Sequence, residues 1–343
     1  MSISNIKVLL LNVNRSGWHS GNMIYDMQSI SYACDTKIYG PGWEGYDTTD
    51  LPKIIEKLYG NDKPDVIYSY FTPNERVGDV YMQHYKISET LRYFPTNFDK
   101  VKNIRKIFAL SDFWARKPVQ YSNDLNNSGF EYCFCCFAPP YSNGDVFYSF
   151  FDENIRKNIK FIGHPRCVDK NCFKDYHMEK KYDIITVGAM WHFYPLRVYM
   201  HHVLSSLANN TTSKIKYHNY PHCGSNFSHS NFVREEYAKA INGSKMLASC
   251  GGRYHLAMNK IFEAMGCNTL YMGEKPYGES ELNLKDDYNY VMVNGNNFLE
   301  KVMYYLENPL KMKSITDNAN ETFLKYHTIE ARAEDLVKRL KDL

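Results

Sequence analysis

The sequence has no long basic block, no apolar run near the roughly 18 residues that a membrane span needs, and no start that reads as a secretion signal. With 41 basic against 38 acidic residues and a formal charge of +3, nucleic acid is not indicated as the main partner, although a local basic patch is not excluded. No membrane span is expected. Met1 to Leu11 is strand-like and lacks the charged start, long apolar stretch and small-residue cleavage site of a leader.

A second close Cys or His pair is also missing. Cys133 and Cys136 in "EYCFCCFAPP" therefore read as part of a buried strand in preference to a zinc site, and no metal site is expected. The nine cysteines are odd in number and scattered, so reduced thiols and a cytoplasmic location are expected. The sequons at Asn210 and Asn242 then meet no glycosylating compartment. No short repeat or low-complexity tract points to a solenoid or a tail.

What is present is an ordinary globular composition, 44% apolar and 23% charged, with 29 Tyr and 19 Phe. A chain of 343 residues exceeds the size at which one core keeps growing, which favours two domains of roughly 150 to 170 residues. "IKVLLLNVN" (Ile6 to Asn14) is a continuous apolar run, the pattern of a strand buried on both faces. It leads into a loop with Gly17 and Gly21 and then a helical segment, which is how a parallel α/β domain begins. Further strands are expected in "KIYGPGWEGYD", "KPDVIYSYF", "VKNIRKIFALSDFW" and "FEYCFCCFAPP", with a short helix in "LPKIIEKLYG".

Around Phe161 the pattern restarts with a short strand and then "YDIITVGA", which breaks at Gly188. Alternating helices and strands follow, through "YPLRVYMHHVLSSLAN", "SKIKYHNY", "NFVREEYAKAINGSK", "KMLASC", "NTLYMG" and "YNYVMV", with helices from Asn297 to Leu306 and Thr328 to Leu340. Two successive α/β halves are the expected organisation: domains at 1–160 and 161–325, and a closing helix at 326–343.

The chemistry concentrates in "GGRYHLAMNKIFEAMGCNTLYMGE", Gly251 to Glu274. A helix over roughly Leu256 to Met265 puts Met258, Ile261, Phe262 and Met265 on one apolar face, with Lys260 and Glu263 opposite. Gly251 and Gly252 stand ahead of it, where free N–H groups and the helix dipole favour an anion. Arg253, His255 and Lys260 add positive charge, so a phosphate or diphosphate is the natural guest. Glu263 would repel phosphates; accepting hydrogen bonds from the vicinal diol of a ribose suits it. An ordinary Lys260–Glu263 surface pair is the alternative.

Five segments in order widen the pattern: "HPRCVDKNCF", "YDIITVGAMWHFYPLR", "INGSKMLASCGG", "NKIFEAMGCNTLYMGE" and "YHTIEARAEDLVKRL". Over about 180 residues this half resembles the C-terminal domain of GT-B glycosyltransferases, in particular the CgeB-like group and family-4-type relatives. The first half is similar only loosely, through "YGPGW", "KPDVIYSY" and "LSDFW".

The resemblance implies two Rossmann-like α/β domains facing across a cleft, the closing helix returning to the first domain, and glycosyl transfer from a nucleotide-diphosphate sugar to a hydroxyl of a glycan or other acceptor. By it, Glu263 binds the nucleotide ribose, Lys260, Arg253 and Arg197 neutralise the diphosphate, and Gly188 lets backbone approach it. Gly252 and His255 belong to the same donor site. The sequence departs from the family at Met265-Gly266-Cys267, where a small residue and glycine are usual, and has no exact match to the second glutamate seven residues after the first.

No Asp-x-Asp occurs anywhere in the chain, so basic side chains are expected to replace the metal that transferases of the other common fold hold there, and no cofactor is required. The acceptor is expected at loops of the first half, with Gly17 and Trp18 in its binding and His19 and Asp112 as general-base candidates. An N-cap is the alternative for Asp112, and substrate binding alone for His19. Trp18, Trp43, Trp114 and Trp191 lie in loops where an aromatic ring could stack on a ligand or pack an interface. Two other functions fit the same resemblance: glycosylation of a DNA base, and non-catalytic binding of a nucleotide or sugar phosphate.

Overall fold

The computed structural model of the chain describes residues 2–14, 21–73, 94–111, 118–126, 128–138, 151–210, 215–220 and 234–343. The chain divides into two compact units: Met1–Ser16, Met27–Pro165 and Ala333–Leu343 form one, and Gly17–Asp26 with Arg166–Arg332 form the other.

The first unit is built on a six-stranded parallel sheet: β1 (Lys7–Leu11), β2 (Asp35–Tyr39), β3 (Val66–Ser69), β4 (Arg105–Leu110), β5 (Tyr132–Cys135) and β6 (Lys160–Gly163), in spatial order β2-β1-β3-β4-β5-β6. Parallel pairing buries both faces of a strand. All of Val66–Ser69 is accordingly buried, and Val8, Leu9 and Leu10 are fully so. Its helices are α1 (Gly21–Ala33), α2 (Leu51–Tyr59), α3 (Pro118–Leu125) and α4 (Glu153–Asn158), although the first residues of α1 belong to the second unit. Leu51, Ile54 and Ile55 form the buried stripe of α2, which stops at Gly60, whose φ of 59° closes the last turn with an N–H bond to Glu56 O.

The second unit holds a five-stranded parallel sheet: β7 (Tyr182–Thr186), β8 (Tyr217–Asn219), β9 (Ser244–Ala248), β10 (Leu270–Gly273) and β11 (Val291–Met292), in order β11-β10-β9-β7-β8. Helices α5 (Pro195–Ala208), α6 (Arg234–Asn242), α7 (Asn259–Gly266), α8 (Phe298–Glu307), α9 (Pro309–Tyr326) and α10 (Ile329–Lys341) complete the described elements. Alternate residues of each strand feed two cores. Ile185 and Leu247 pack with Ile261, Phe262 and Phe323 on one face; Ile184, Met246 and Met272 pack with Met200, Phe298 and Val302 on the other. The last residues of α10 belong to the first unit, where Leu340 O accepts from Arg105 Nη1 at 3.4 Å and Leu343 O from the Tyr132 hydroxyl at 3.1 Å.

Two expectations change. The short strand at Phe161 does not open the second sheet: β6 pairs with β5, Cys133 opposite Phe161, and completes the first. The units change at Pro165. A four-residue strand carries no mark of which sheet it joins, because only the neighbouring backbone decides that. The 18-residue helix α9 falls where no helix was expected. Its buried stripe is Ile315, Thr316, Ala319, Thr322 and Phe323, with three of five positions small or hydroxylated, too faint an apolar pattern to read.

Candidate functional site

In open parallel sheets, ligands bind beyond the carboxyl ends of the strands. Beyond β7 the chain turns at Gly188, whose φ is 97°. A Cβ there would lie 2.8 Å from Arg197 Nη1 and 3.5 Å from Lys260 Cε, so a side chain is excluded and two cations converge on the turn. Arg197, in the first turn of α5, is only 2% exposed. It donates from Nη1 to Ala189 O (3.0 Å), from Nη2 to Cys250 O (3.1 Å) and from Nε to Ser249 Oγ (3.2 Å), and its guanidinium lies 4.1 Å from the Tyr194 ring centre. One side chain thus ties the turn after β7 to the end of β9.

Beyond β9 come Gly251 and Gly252. A Cβ on Gly251 would be 2.2 Å from Leu256 O, and one on Gly252, at φ 72°, would be 2.4 Å from the Phe193 ring. These glycines do not lead directly into α7 as expected from the sequence. A 3-10 turn (Gly252–Tyr254) and an extended stretch intervene, and Met258 is the N-cap. Nor is the Gly251 N–H free for an anion, since Glu274 Oε1 accepts it at 2.7 Å. Arg253 keeps an exposed side chain while its N–H donates to Phe193 O at 3.0 Å. His255 adopts left-handed backbone with its side chain 64% exposed, Nδ1 3.7 Å from Glu274 Oε1.

Glu274, at the end of β10, is the functional candidate missed in the sequence. Burial raises its carboxyl, offset in part by the Gly251 N–H, His255 and Arg197. It helps line an open cleft of about 660 Å³ with Tyr254, His255, Tyr277 and Asn294. The available signal was its position: a carboxylate directly after the glycine that ends a parallel strand.

Helix α7 carries Lys260 and Glu263. Its expected polar outer face does not exist, because from Asn259 to Gly266 only Lys260 escapes full burial and Glu263 is 3% exposed. Glu263 Oε2 accepts the Tyr237 hydroxyl of α6 at 2.8 Å, and Lys260 Nζ stands 3.4 Å from it. A buried carboxylate needs such partners. The surface-pair alternative for Lys260 and Glu263 is therefore set aside. Behind them, Phe262 stacks on His327 with ring centres 4.1 Å apart, and His327 Nδ1 accepts from Arg332 Nη2 at 2.8 Å. Burial, then the Arg332 charge, holds that imidazole well below its ordinary value, so it is neutral.

Gly188, Arg197 and Lys260 are thus brought together with Glu263 beside them, and Gly252, Arg253 and His255 follow along the loop that Arg197 holds at Cys250. Gly17, Trp18, His19, Asp112 and Trp114 lie outside the described residues. Cys133, Cys135 and Cys136 are buried and form no disulfide. Among the described residues, no group of three His, Cys, Asp or Glu side chains is arranged to hold a metal ion, and no helix is long and apolar enough to cross a membrane.

Residues 197–338 match the family model described as glycosyl transferase-like. The fold matches that of Anabaena HepE in complex with UDP and glucose, with a TM-score of 0.61 at 10% identity over 99% of this chain and 100% of that one. The chain has the GT-B fold. The GT-B chain is also similar to a glycosyltransferase from Rickettsia africae (TM-score 0.61, 11% identity, 99% and 98% covered). Sucrose-phosphate synthase from Thermosynechococcus elongatus matches it with a TM-score of 0.58 at 10% identity, over 98% of each chain. No curated protein matches the sequence.

Proposed function

We propose that this protein transfers a sugar from a nucleotide-diphosphate sugar to a hydroxyl of a glycan or other acceptor, without a metal ion. The observation that carries the reading is the convergence of Arg197 and Lys260 on the Gly188 turn, beside the buried Glu263. HepE, similar in fold, has been crystallised with UDP and with UDP-glucose, which makes a uridine donor the first to test.

Transfer develops negative charge on the departing diphosphate, and stabilising it is the main electrostatic task. Arg197 and Lys260 do so at the turn, where glycine lets the backbone come close, and the exposed Arg253 adds charge from the next loop. Preorganisation matters here: Arg197 is already fixed by three hydrogen bonds and need not be ordered at the moment of reaction. Glu263 is held through Oε2 by Tyr237 and Lys260, and Oε1 would accept from the ribose diol. His19 and Asp112 are proposed as general-base candidates, and Gly17 and Trp18 as acceptor-binding residues.

A thermal-shift screen against UDP, GDP, CDP, ADP, TDP and their common sugars, with and without EDTA, tests the reading. A ligand at a hundred times its dissociation constant stabilises by about 2.7 kcal/mol. A shift with one nucleotide family, followed by turnover that persists in EDTA, is expected. Activity lost in EDTA and restored by a divalent ion would overturn metal independence, and silence across the panel would overturn the donor site. In the folded Glu263→Ala variant, donor binding should weaken by about 1.5 to 3 kcal/mol, the cost of a charge-assisted hydrogen bond.

A further inference from the structure

We propose that Trp191 is a stacking platform for a pyranose ring and so sets the sugar specificity of the site; this rests on the glycosyl-transfer reading above. Its loop, between Gly188 and α5, is firmly held. Phe193, 6% exposed, packs its ring against Gly252 and accepts the Arg253 N–H on its carbonyl at 3.0 Å. Tyr194 donates its N–H to Trp191 O at 2.8 Å and lays its ring under the Arg197 guanidinium at 4.1 Å. Between these anchors Trp191 remains 49% exposed and the preceding Met190 37%. His192 meets the indole edge-on, ring centres 5.0 Å apart, which braces its orientation.

A loop rigid enough to bury Phe193 and Tyr194 holds its largest ring outward, three residues from the turn where Arg197 and Lys260 meet. A pyranose presents a face of C–H groups to such a ring and leaves its hydroxyls for polar neighbours, and aromatic stacking of this kind is directional. A nucleobase could use the same surface, and the test separates it.

The measurement is an isothermal calorimetric titration, with tryptophan emission followed alongside, of wild type, Trp191→Phe and Trp191→Ala with UDP and GDP, then with UDP-glucose, UDP-galactose, UDP-N-acetylglucosamine and GDP-mannose. The matching methyl glycosides are added to the UDP- or GDP-saturated protein. In Trp191→Ala, binding of one sugar-bearing ligand should weaken about tenfold while the bare nucleotide is unaffected, and Trp191→Phe should retain most of the binding. The sugar-dependent change in emission should vanish in Trp191→Phe. Weakening with a nucleotide sugar identifies the donor ring, and weakening with a methyl glycoside identifies the acceptor ring. Unchanged binding across the panel, equal loss of bare nucleotide, or failure of Trp191→Phe to rescue would overturn the platform. If wild type binds no nucleotide, the glycosyl-transfer reading fails, and the methyl glycosides alone then decide the platform.

Discussion

In the first unit, the residues directly after β1 and β3 are buried and neutral: Asn12 and Val13 after the one, Tyr70, Phe71 and Thr72 after the other. Among the described residues, the buried carboxylate Asp124 accepts the Thr72 hydroxyl at 2.8 Å. In the second unit, the ends of β7 and β9 are held by a buried arginine, and Lys260 stands at the same turn. Both sheets are parallel and buried on both faces, so the difference does not come from architecture. Burying a charge costs several kcal/mol unless its partners offset it. The cations at the Gly188 turn support the proposal of an anion site there, because a diphosphate gains from them.

The comparison breaks most visibly at Arg197. Arg197→Ala should lower stability by about 3 kcal/mol, because three acceptors, two of them buried, lose their donor, and should abolish the nucleotide response in the thermal-shift assay. Arg197→Lys should not restore it, since an ammonium cannot fork to Ala189, Ser249 and Cys250. Chemical denaturation with nucleotide titration reads both effects. Next comes Gly188→Ala, expected to cost about 2 kcal/mol, for a φ of 97° and a methyl 2.8 Å from Arg197 Nη1. Nucleotide affinity should fall with it.

A smaller effect sharpens the contrast through pH. His327 is held neutral behind α7, whereas in the unfolded chain an imidazole takes a proton near its ordinary value. Folding stability should therefore be complete above about pH 6.5 and decline below it by up to about 1.4 kcal/mol per pH unit from this group. A His327→Gln variant should lose that slope in melts between about pH 7 and 5. The smallest expected change is the control in the first unit. Thr72→Val, which removes the bond to Asp124, should cost about 1 kcal/mol of stability and leave nucleotide affinity unaltered.

Particular residues show how far the sequence could be read. Gly188 and Arg197 were legible through the family resemblance carried by "YDIITVGAMWHFYPLR", and the two do meet. Lys260 and Glu263 were legible as a pair, but not as a buried one: helical spacing placed them outward, and Tyr237, from another helix, takes up Glu263. Glu274 was passed over because its meaning lies in the Gly251 N–H, 23 residues away. The two glycines of "GGRYH" looked like a helix entry, and the 3-10 turn that separates them from α7 has no separate mark in the residue pattern.

By itself the sequence determined what period-two burial, apolar runs and glycine breaks control: strands in parallel α/β order, most helices, and a cationic stretch suited to a diphosphate. Those properties are local, set by a few neighbouring residues and their backbone preferences. Tertiary structure alone decided which sheet Lys160–Gly163 joins, that Glu263 is enclosed, that Glu274 closes the Gly251 turn, and that Trp191 is left outside a well-packed loop. Each depends on a partner distant in the chain, and burial and hydrogen bonding are properties of the pair, which neither segment carries alone.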